Sequence, residues 1–531
     1  MSLHRRLAGV LLHPTSLPGR FGIGDLGPEC IRFLDWMRDA GLGYWQVLPL
    51  GPTSFGDSPY QCFSAFAGNP MLVSPDELVR DGFLAPFDIS PPMNVNTVRV
   101  DYGPLIEWKT TVLRRAFVNF SANKKHPHAK AFAAFQKRKE IATWLDDYAL
   151  FRVCKDLHGG RAWGDWQAPL RKRTASALEK VRKENGENFE FHKFCQFLFF
   201  LQWERVRDAA RERNIQIIGD APIYVAYDSA DTWAHQELFD LNKDGRPNAV
   251  AGVPPDYFSA TGQLWGNPLY NWKALKASGY QWWIDRLAAV FAVVDFVRLD
   301  HFRGFMGYWA VPSGESTAVN GKWQRGPGAD LFKVLKKAFK NLPIIAEDLG
   351  EITPDVIEVR DEFELPGMNI LQFAWGTASV NPIVPDPGSH FTPHQHARNS
   401  VVYTGTHDND TTIGWWRNSS TAEERHHMQV YLSTDGSLAN WDLIRAAFQS
   451  VAGTAVIPMQ DFLGLDSDAR MNFPGKAEGN WGWRMKGNDA SPQLAAQVRA
   501  LTLLYQRCAT PPDNAIAKPD PKKINYLANA K

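Results

Sequence analysis

Acidic, basic and histidine side chains are concentrated where short apolar runs of the sequence end. The stretch VVDFVRLDHFRG, residues 293–304, passes from β-branched residues directly into Arg298, Asp300 and His301. A strand that only fills a core does not need several charged or titratable groups at its end. Other apolar runs end in the same way, at His13, Asp220, Glu347, Asp348, His407, Asp408, Asp410 and Asp461. This pattern indicates a site that handles charge.

Two kinds of chemistry use many carboxylates in one cleft. In glycoside chemistry one carboxylate attacks the anomeric carbon, and a second, kept protonated, gives its proton to the leaving oxygen. In metal-assisted hydrolysis, histidine and aspartate hold a metal ion that activates water.

The metal alternative has less support in the sequence. His13, His301 and His407 are single histidines, and none of them belongs to an HxH pair. The sequence DLNKDG, residues 240–245, does not complete a calcium loop, because Ala251 stands where that loop requires glutamate. We therefore expect no metal and no cofactor.

The glycoside alternative accounts for more of these residues. Arg298 lies two positions before Asp300, so both side chains point to the same face of a strand. The arginine could hold Asp300 ionised and aimed, as a nucleophile requires. Glu347 follows the apolar residues PIIA, where partial burial would raise its pKa, as a general acid requires. Asp348, the next residue, is more typical of a structural cap than of a catalytic group.

Eight apolar runs could supply the strands that position these groups. They are residues 7–13, 44–50, 215–220, 294–300, 343–348, 368–373, 400–408 and 455–461. Most gaps between them hold an amphipathic segment of helix length, and this alternation predicts parallel βαβ units. Eight units favour an α/β fold, a TIM (β/α)8 barrel, in which the strand ends meet at one face. A doubly wound open sheet is the alternative, but no run is followed by a glycine-rich phosphate-binding loop.

Two of the gaps are too long for a single helix. We predict that residues 1–50 form the first part of the barrel and that residues 51–191 are an inserted, largely helical subdomain between strands two and three. Residues 192–509 would complete the barrel. Within them, residues 221–279 are rich in proline, glycine and aromatic residues and are predicted to form a long substrate loop. The tail, residues 510–531, is predicted to be poorly ordered.

The composition argues against several classes of partner. Among 531 residues, 58 basic side chains balance 57 acidic ones, so no overall charge favours nucleic acid or anionic lipid. The longest apolar segments are too short to span a membrane. The five cysteines are scattered without a CxxC pair, which is typical of a reducing compartment. We expect a cytoplasmic protein, and the sequence leaves open whether it is a monomer or a homodimer.

Several long segments resemble the 4-α-glucanotransferases, also called amylomaltases or disproportionating enzymes, within the α-amylase clan. FVRLDHFRG, IIAEDLG and YTGTHDNDTT resemble the signature segments of that family in order and spacing. Further segments extend the resemblance over nearly the whole chain. The resemblance implies three catalytic residues: Asp300 is the nucleophile, Glu347 the general acid/base, and Asp408 the third carboxylate, which binds sugar hydroxyls and favours the distorted transition state.

The resemblance also implies the substrates and the residues that bind them. The substrate-binding residues would be Arg298, His301, His407, Asp220, Tyr60, Tyr257, Gln263, Trp265 and Asn472. Donor and acceptor would be α-1,4-glucans, namely maltooligosaccharides, starch or glycogen, in a retaining reaction. Two alternatives keep the same site. One is an α-amylase-like hydrolase that uses water, and the other is a glucan-binding protein without catalysis, which would be expected to lack one of the three carboxylates.

Overall fold

The structure is a computed structural model of the chain. It describes residues 6–92, 95–255, 259–378, 381–386, 389–476 and 478–509. The predicted tail, residues 510–531, lies outside the described residues, and so does Tyr257. Among the described helices, none combines the length and the apolar character that a membrane crossing requires.

Eight parallel strands form a nearly closed barrel, and each strand lies within one of the predicted apolar runs or extends beyond it by one residue. They are β1 (Leu7–Leu11), β2 (Tyr44–Gln46), β3 (Gln216–Ala221), β4 (Phe296–Leu299), β5 (Ile344–Ala346), β6 (Gly367–Ile370), β7 (Ser400–Tyr403) and β8 (Thr454–Pro458). β8 pairs with β1, and the sheet order is β6-β7-β8-β1-β2-β3-β4-β5. Between β5 and β6, the Ala346 amide donates a 2.9 Å hydrogen bond to the carbonyl of Pro366. The predicted TIM-type barrel is confirmed.

The barrel strands are short and are buried on both faces. Every residue of β1, β4 and β8 is buried. Parallel strands that are covered on both sides have continuous apolar sequences, which is why these runs could be identified without an alternating pattern.

Helices on the outside of the barrel connect most of the strands. They are α1 (Pro28–Asp39), α2 (Gly186–Glu212), α3 (Gln281–Val293), α4 (Ala329–Phe339), α5 (Pro354–Glu362), α6 (Ala439–Gln449) and α7 (Pro492–Leu504). Further helices are Ala230–Ala234, Trp272–Ala277, Thr412–Gly414, Ala422–Leu432 and Met459–Leu463. Proline opens α1, α5 and α7, at a position where the missing N–H is not needed for the helix.

The segment between β2 and α2 is largely helical. Its helices are Pro75–Arg80, Tyr102–Ala122, Ala129–Phe135, Lys139–Ala142, Leu145–Leu157, Ala168–Arg171 and Ala175–Glu184. They pack against α2 through aromatic contacts such as that of Phe120 with Phe194, whose ring centres are 4.9 Å apart. Helix α2 runs across residue 191, where we expected the inserted subdomain to end.

The predicted loop at residues 221–279 contains two strands that the sequence did not reveal. These strands belong to a four-stranded antiparallel sheet. Its order is Gln263–Pro268, Ala249–Val253, Gly307–Pro312 and Lys322–Arg325. Half of this sheet comes from the segment after β4. It therefore joins the predicted substrate loop to the chain that follows Asp300.

Candidate active site

The ends of three neighbouring strands bring the predicted nucleophile and the predicted general acid together. The Asp300 amide donates to the carbonyl of Ala221 at the end of β3, over 3.1 Å. The Glu347 amide donates to the carbonyl of Leu299 at the end of β4, over 3.0 Å. Both residues therefore leave the barrel at the same level of the sheet.

The carboxyl group of Glu347 is held by two backbone amides. The amide of His301, the residue after Asp300, donates to Oε2 over 2.6 Å, and the amide of Leu349 donates to Oε1 over 3.1 Å. His301 has a φ of 52° in the left-handed region, which is uncommon outside glycine. Since a single peptide unit separates Asp300 from the amide that binds Glu347, the two carboxyl groups lie in one crevice.

Glu347 is suited to carry a proton at neutral pH. Only 9% of the residue is exposed, and this burial raises its pKa to about 8. The charge of Arg298 lowers the pKa, and the charge of Asp300 raises it. A carboxyl group that is protonated at neutral pH can act as a general acid, as partial burial after PIIA led us to expect.

Arg298 joins two carboxylates at the base of the crevice. Its Nη1 lies 3.0 and 2.8 Å from the two carboxylate oxygens of Asp220, and its Nη2 lies 2.9 Å from Oδ1 of Asp300. Burial lowers the pKa of the guanidinium, but Asp220 and Asp300 outweigh this effect and hold the pKa well above its usual value. Arg298 is thus a permanent cation in direct contact with Asp300, and the contact agrees with the two-residue spacing.

Tyr60 connects the pair of Arg298 and Asp220 to the opposite side of the crevice. Its hydroxyl donates to Oδ2 of Asp220 over 2.8 Å. Its ring stacks on His407, with ring centres 5.0 Å apart and an interplanar angle of 13°. His407 Nε2 in turn lies 3.3 Å from Oδ2 of Asp408. A continuous chain of contacts therefore links Asp300 to the third predicted carboxylate.

Asp408 is held by Asn472 and remains open to the cleft. The side-chain amide of Asn472 donates to Oδ1 of Asp408 over 2.6 Å, and the backbone amide of Asn472 donates to the carbonyl of His407 over 3.1 Å. The Asp408 side chain is 43% exposed. One oxygen is thus fixed by the protein while the carboxylate still faces solvent, as a group that binds substrate hydroxyls requires.

Sequence reasoning missed Arg470 in this part of the site. Its guanidinium donates to the carbonyl of Asp408 and, through Nε, to the carbonyl of Asn472 over 2.7 Å. Arg470 therefore fixes the two backbone segments that carry Asp408 and Asn472. The available signal was its position two residues before Asn472 in the segment RMNFPG.

The four-stranded sheet places Trp265 and Gln263 beside the nucleophile. The indole of Trp265 meets the ring of His301 edge to face, with ring centres 4.9 Å apart, and its Nε1 donates to Oε1 of Gln263 over 3.2 Å. Burial lowers the pKa of His301 to about 4, so its imidazole is neutral at neutral pH. Tyr257, which was predicted in the same loop, lies outside the described residues.

Several of the strand-end acids hold the scaffold instead. Asp348 accepts from Arg360 over 2.6 Å and from the Met368 amide over 2.8 Å, which agrees with the structural role expected for it. Asp461 accepts from the Thr412 amide over 2.7 Å and Asp410 accepts from the Ser467 hydroxyl over 2.7 Å. These contacts join neighbouring barrel segments around the crevice.

Comparison with known proteins identifies the family. The family model described as 4-alpha-glucanotransferase matches residues 12–490, which include every residue of the site above. The chain belongs to the 4-alpha-glucanotransferase family.

Three proteins of this family match the chain over nearly their full length. The 4-alpha-glucanotransferase of Thermus thermophilus is 48% identical over 510 residues, which cover 94% of this chain and 99% of the relative. That of Synechocystis is also 48% identical and covers 95% of this chain and 99% of the relative. The amylomaltase from Streptococcus agalactiae, solved in complex with acarbose, matches with a TM-score of 0.90 and 37% identity, covering 95% of this chain and 100% of that one.

The family resemblance found in the sequence is therefore confirmed. Membership of this family makes the protein an enzyme, and the hydrolase alternative is not favoured.

Proposed function

We propose that the enzyme transfers α-1,4-glucan segments by a retaining double displacement. Asp300 attacks the anomeric carbon of the donor while Glu347 protonates the departing oxygen, and a covalent glycosyl-enzyme forms on Asp300. Glu347 then takes the proton from the 4-hydroxyl of an acceptor glucan, whose oxygen displaces Asp300 from the anomeric carbon. The configuration at that carbon is retained because it inverts twice.

The observation that carries this proposal is the contrast between two adjacent carboxyl groups. Asp300 lies 2.9 Å from a permanent guanidinium, and this contact holds and aims its carboxyl group. Glu347 is buried beside it with a pKa raised to about 8, which favours its protonated form. A buried, protonated carboxyl group next to one that is paired with an arginine supports the roles of general acid and nucleophile.

We assign the remaining residues of the crevice to substrate binding. The sugar whose bond is cut would be held through its hydroxyls. Asp408 would accept hydrogen bonds from them, and neutral His301 and His407 would also form hydrogen bonds with them. The other proposed binding residues are Arg298, Asp220, Tyr60, Tyr257, Gln263, Trp265 and Asn472. Support comes from the contacts that connect the described members of this set to Asp300 and Asp408.

Transfer requires that the acceptor glucan reaches the intermediate more readily than water does. The strand Gln263–Pro268 places Trp265 directly against His301, so the sheet covers one side of the residue next to the nucleophile. A cover of this kind excludes water from a reactive intermediate. We propose that residues 259–263 and the sheet form this cover and that they favour a glucan acceptor over hydrolysis.

The substrates and the compartment are part of the same proposal. Donor and acceptor would be maltooligosaccharides, starch or glycogen. Cys30, Cys62, Cys154 and Cys195 are unpaired thiols, which supports a reducing, cytoplasmic compartment. The oligomeric state remains the prediction of a monomer or a homodimer.

Incubation of the enzyme with maltotriose tests the proposal. We expect a ladder of longer maltooligosaccharides together with glucose and maltose, because the glycosyl-enzyme is passed to a second maltotriose. Glucose and maltose without longer products would support the hydrolase alternative. The Asp300→Asn variant, which should bind maltotriose without turning it over, is the control for a contaminating activity.

A further inference from the structure

Trp481 contacts two aromatic members of the site at once. Its ring centre lies 5.8 Å from that of Tyr60 and 5.9 Å from that of His407, with interplanar angles of 39° and 37°. Tyr60 and His407 also stack on each other. Trp481, Tyr60 and His407 therefore form one ring cluster. Since Trp481 is only 6% exposed, it supports the other two rings and offers little surface to a substrate.

The ring cluster is the junction between the two halves of the crevice. Tyr60 continues through its hydroxyl to Asp220, and Asp220 is paired with Arg298, the partner of Asp300. His407 continues to Asp408 and, through its carbonyl, to the amide of Asn472. A change in the angle between the rings of Tyr60 and His407 would therefore shift Asp220 and Arg298, the partners of Asp300, relative to Asp408.

The backbone of Trp481 is held in an unfavourable conformation to make these contacts. Its φ is 60°, in the left-handed region, which is uncommon for a bulky side chain. Its amide donates to the carbonyl of Met471 over 2.7 Å, and its carbonyl accepts from the Tyr102 hydroxyl over 3.1 Å. Backbone strain of this kind persists only where the surroundings enforce it, and it is concentrated at functional sites.

We infer that Trp481 is a positioning residue for glucan transfer, whose indole ring sets the relative orientation of Tyr60 and His407. The inference rests on the roles proposed above for Asp300 and Asp408. A smaller side chain at position 481 would leave both rings free to turn. The ground-state complex has many other contacts, so the loss should fall on the transition state, where the alignment of Asp300, Glu347 and Asp408 matters most.

The test compares Trp481→Leu and Trp481→Phe in the disproportionation of maltotriose. For Trp481→Leu we expect kcat to fall on the order of 10²-fold with KM little changed, the size of effect that a misplacement of about 1 Å produces. Trp481→Phe keeps an aromatic ring against both Tyr60 and His407 and should retain most of the kcat that Trp481→Leu loses. Retention of kcat by a folded Trp481→Leu variant would overturn the inference.

Trp144→Leu is the matched control for a general loss of packing. Trp144 is also 6% exposed, and its ring packs away from the crevice, against Phe66, Tyr148 and Phe200. We expect both leucine variants to lower the unfolding temperature by similar amounts, while only Trp481→Leu lowers kcat strongly. Equal losses of kcat in both variants would show that Trp481 is merely structural.

A second variant keeps the inference testable if Trp481→Leu does not fold. Tyr102→Phe removes the hydroxyl that holds the Trp481 carbonyl, and it should lower kcat without changing KM. An unchanged kcat would count against the inference.

The wild-type enzyme in the same assay separates the proposed function from the proposed role of Trp481. If it produces no ladder from maltotriose, the proposed function itself fails. If it does and Trp481→Leu matches it, only the role of Trp481 is wrong.

Discussion

The backbone amide of His301 donates a 2.6 Å hydrogen bond to Oε2 of Glu347. This bond joins the chain that follows β4 to the chain that follows β5. Asp300 immediately precedes His301, so the acid cannot shift relative to the nucleophile without bending or breaking the bond. The relative placement of the two carboxyl groups is thus set by the backbone.

The protonation of Glu347 should determine how activity falls at alkaline pH. Burial raises its pKa to about 8, and only the protonated form can donate to the departing oxygen. We expect kcat for maltotriose to fall as the pH rises through about 8. The kcat of Glu347→Gln should no longer fall through this pH range. It should also be lower than that of the wild-type enzyme by on the order of 10²–10⁴-fold. A profile that rises through this range would contradict the assignment of Glu347 as general acid.

Arg298 should be irreplaceable by lysine. Its guanidinium contacts Asp220 and Asp300 at the same time, and the compact ammonium of lysine does not reproduce this fork. We expect Arg298→Lys to remain folded but to lose most of its kcat. Arg298→Met should also lower the free energy of unfolding by about 3–5 kcal/mol, because Asp220 is left buried without its cation. Urea unfolding measures this loss, and adding Asp220→Asn to the methionine variant should recover part of it.

Gly304 should be required for the orientation of His301. A Cβ at this position would lie 2.8 Å from Cδ2 of His301 and 2.8 Å from Cδ1 of Ile223. Gly304→Ala should therefore displace the imidazole and lower kcat, by up to about 10²-fold. Gly307→Ala is the control, since its Cβ would have no neighbour closer than 3.6 Å. Similar kinetics for the two variants would argue against a tight role for His301.

Water exclusion by the substrate loop can be tested by shortening it. Residues 259–262 form a turn in which the Gly262 amide donates to the carbonyl of Ser259 over 3.0 Å. Deleting them should raise hydrolysis relative to transfer, measured as the ratio of reducing ends released to longer glucans formed. Leu264→Ala is the control, because Leu264 points to the face of the strand opposite Gln263 and Trp265. An unchanged ratio after the deletion would remove the loop from the mechanism.

The barrel was predictable from the sequence because its strands are buried on both faces. β1 (LAGVL), for example, is a continuous apolar run, and the barrel geometry then placed Asp300 and Glu347 at one face. The same reasoning explains the pair of Arg298 with Asp300, since two residues of separation fix a common face of a strand. Family resemblance was needed to assign roles to Asp408 and to the substrate-binding residues.

Other features could not be read from local sequence because they depend on contacts between distant segments. The four-stranded sheet pairs Ala249–Val253 with Gly307–Pro312, and no local pattern indicates such a pairing. Arg470 acts through the carbonyl of Asp408, sixty-two residues away in the chain. Trp481 is one of 20 tryptophans, and only its ring contacts and its left-handed backbone distinguish it from the rest.

Trapping of the covalent intermediate tests the central claim most directly. The Glu347→Gln variant is incubated with α-maltosyl fluoride, whose fluoride leaves without protonation, so the first step proceeds while the second lacks its base. Peptide mapping by mass spectrometry should show one maltosyl group on the peptide that contains Asp300, and none in the Asp300→Asn, Glu347→Gln double variant. A maltosyl group on Asp408, or turnover without any adduct, would contradict the account.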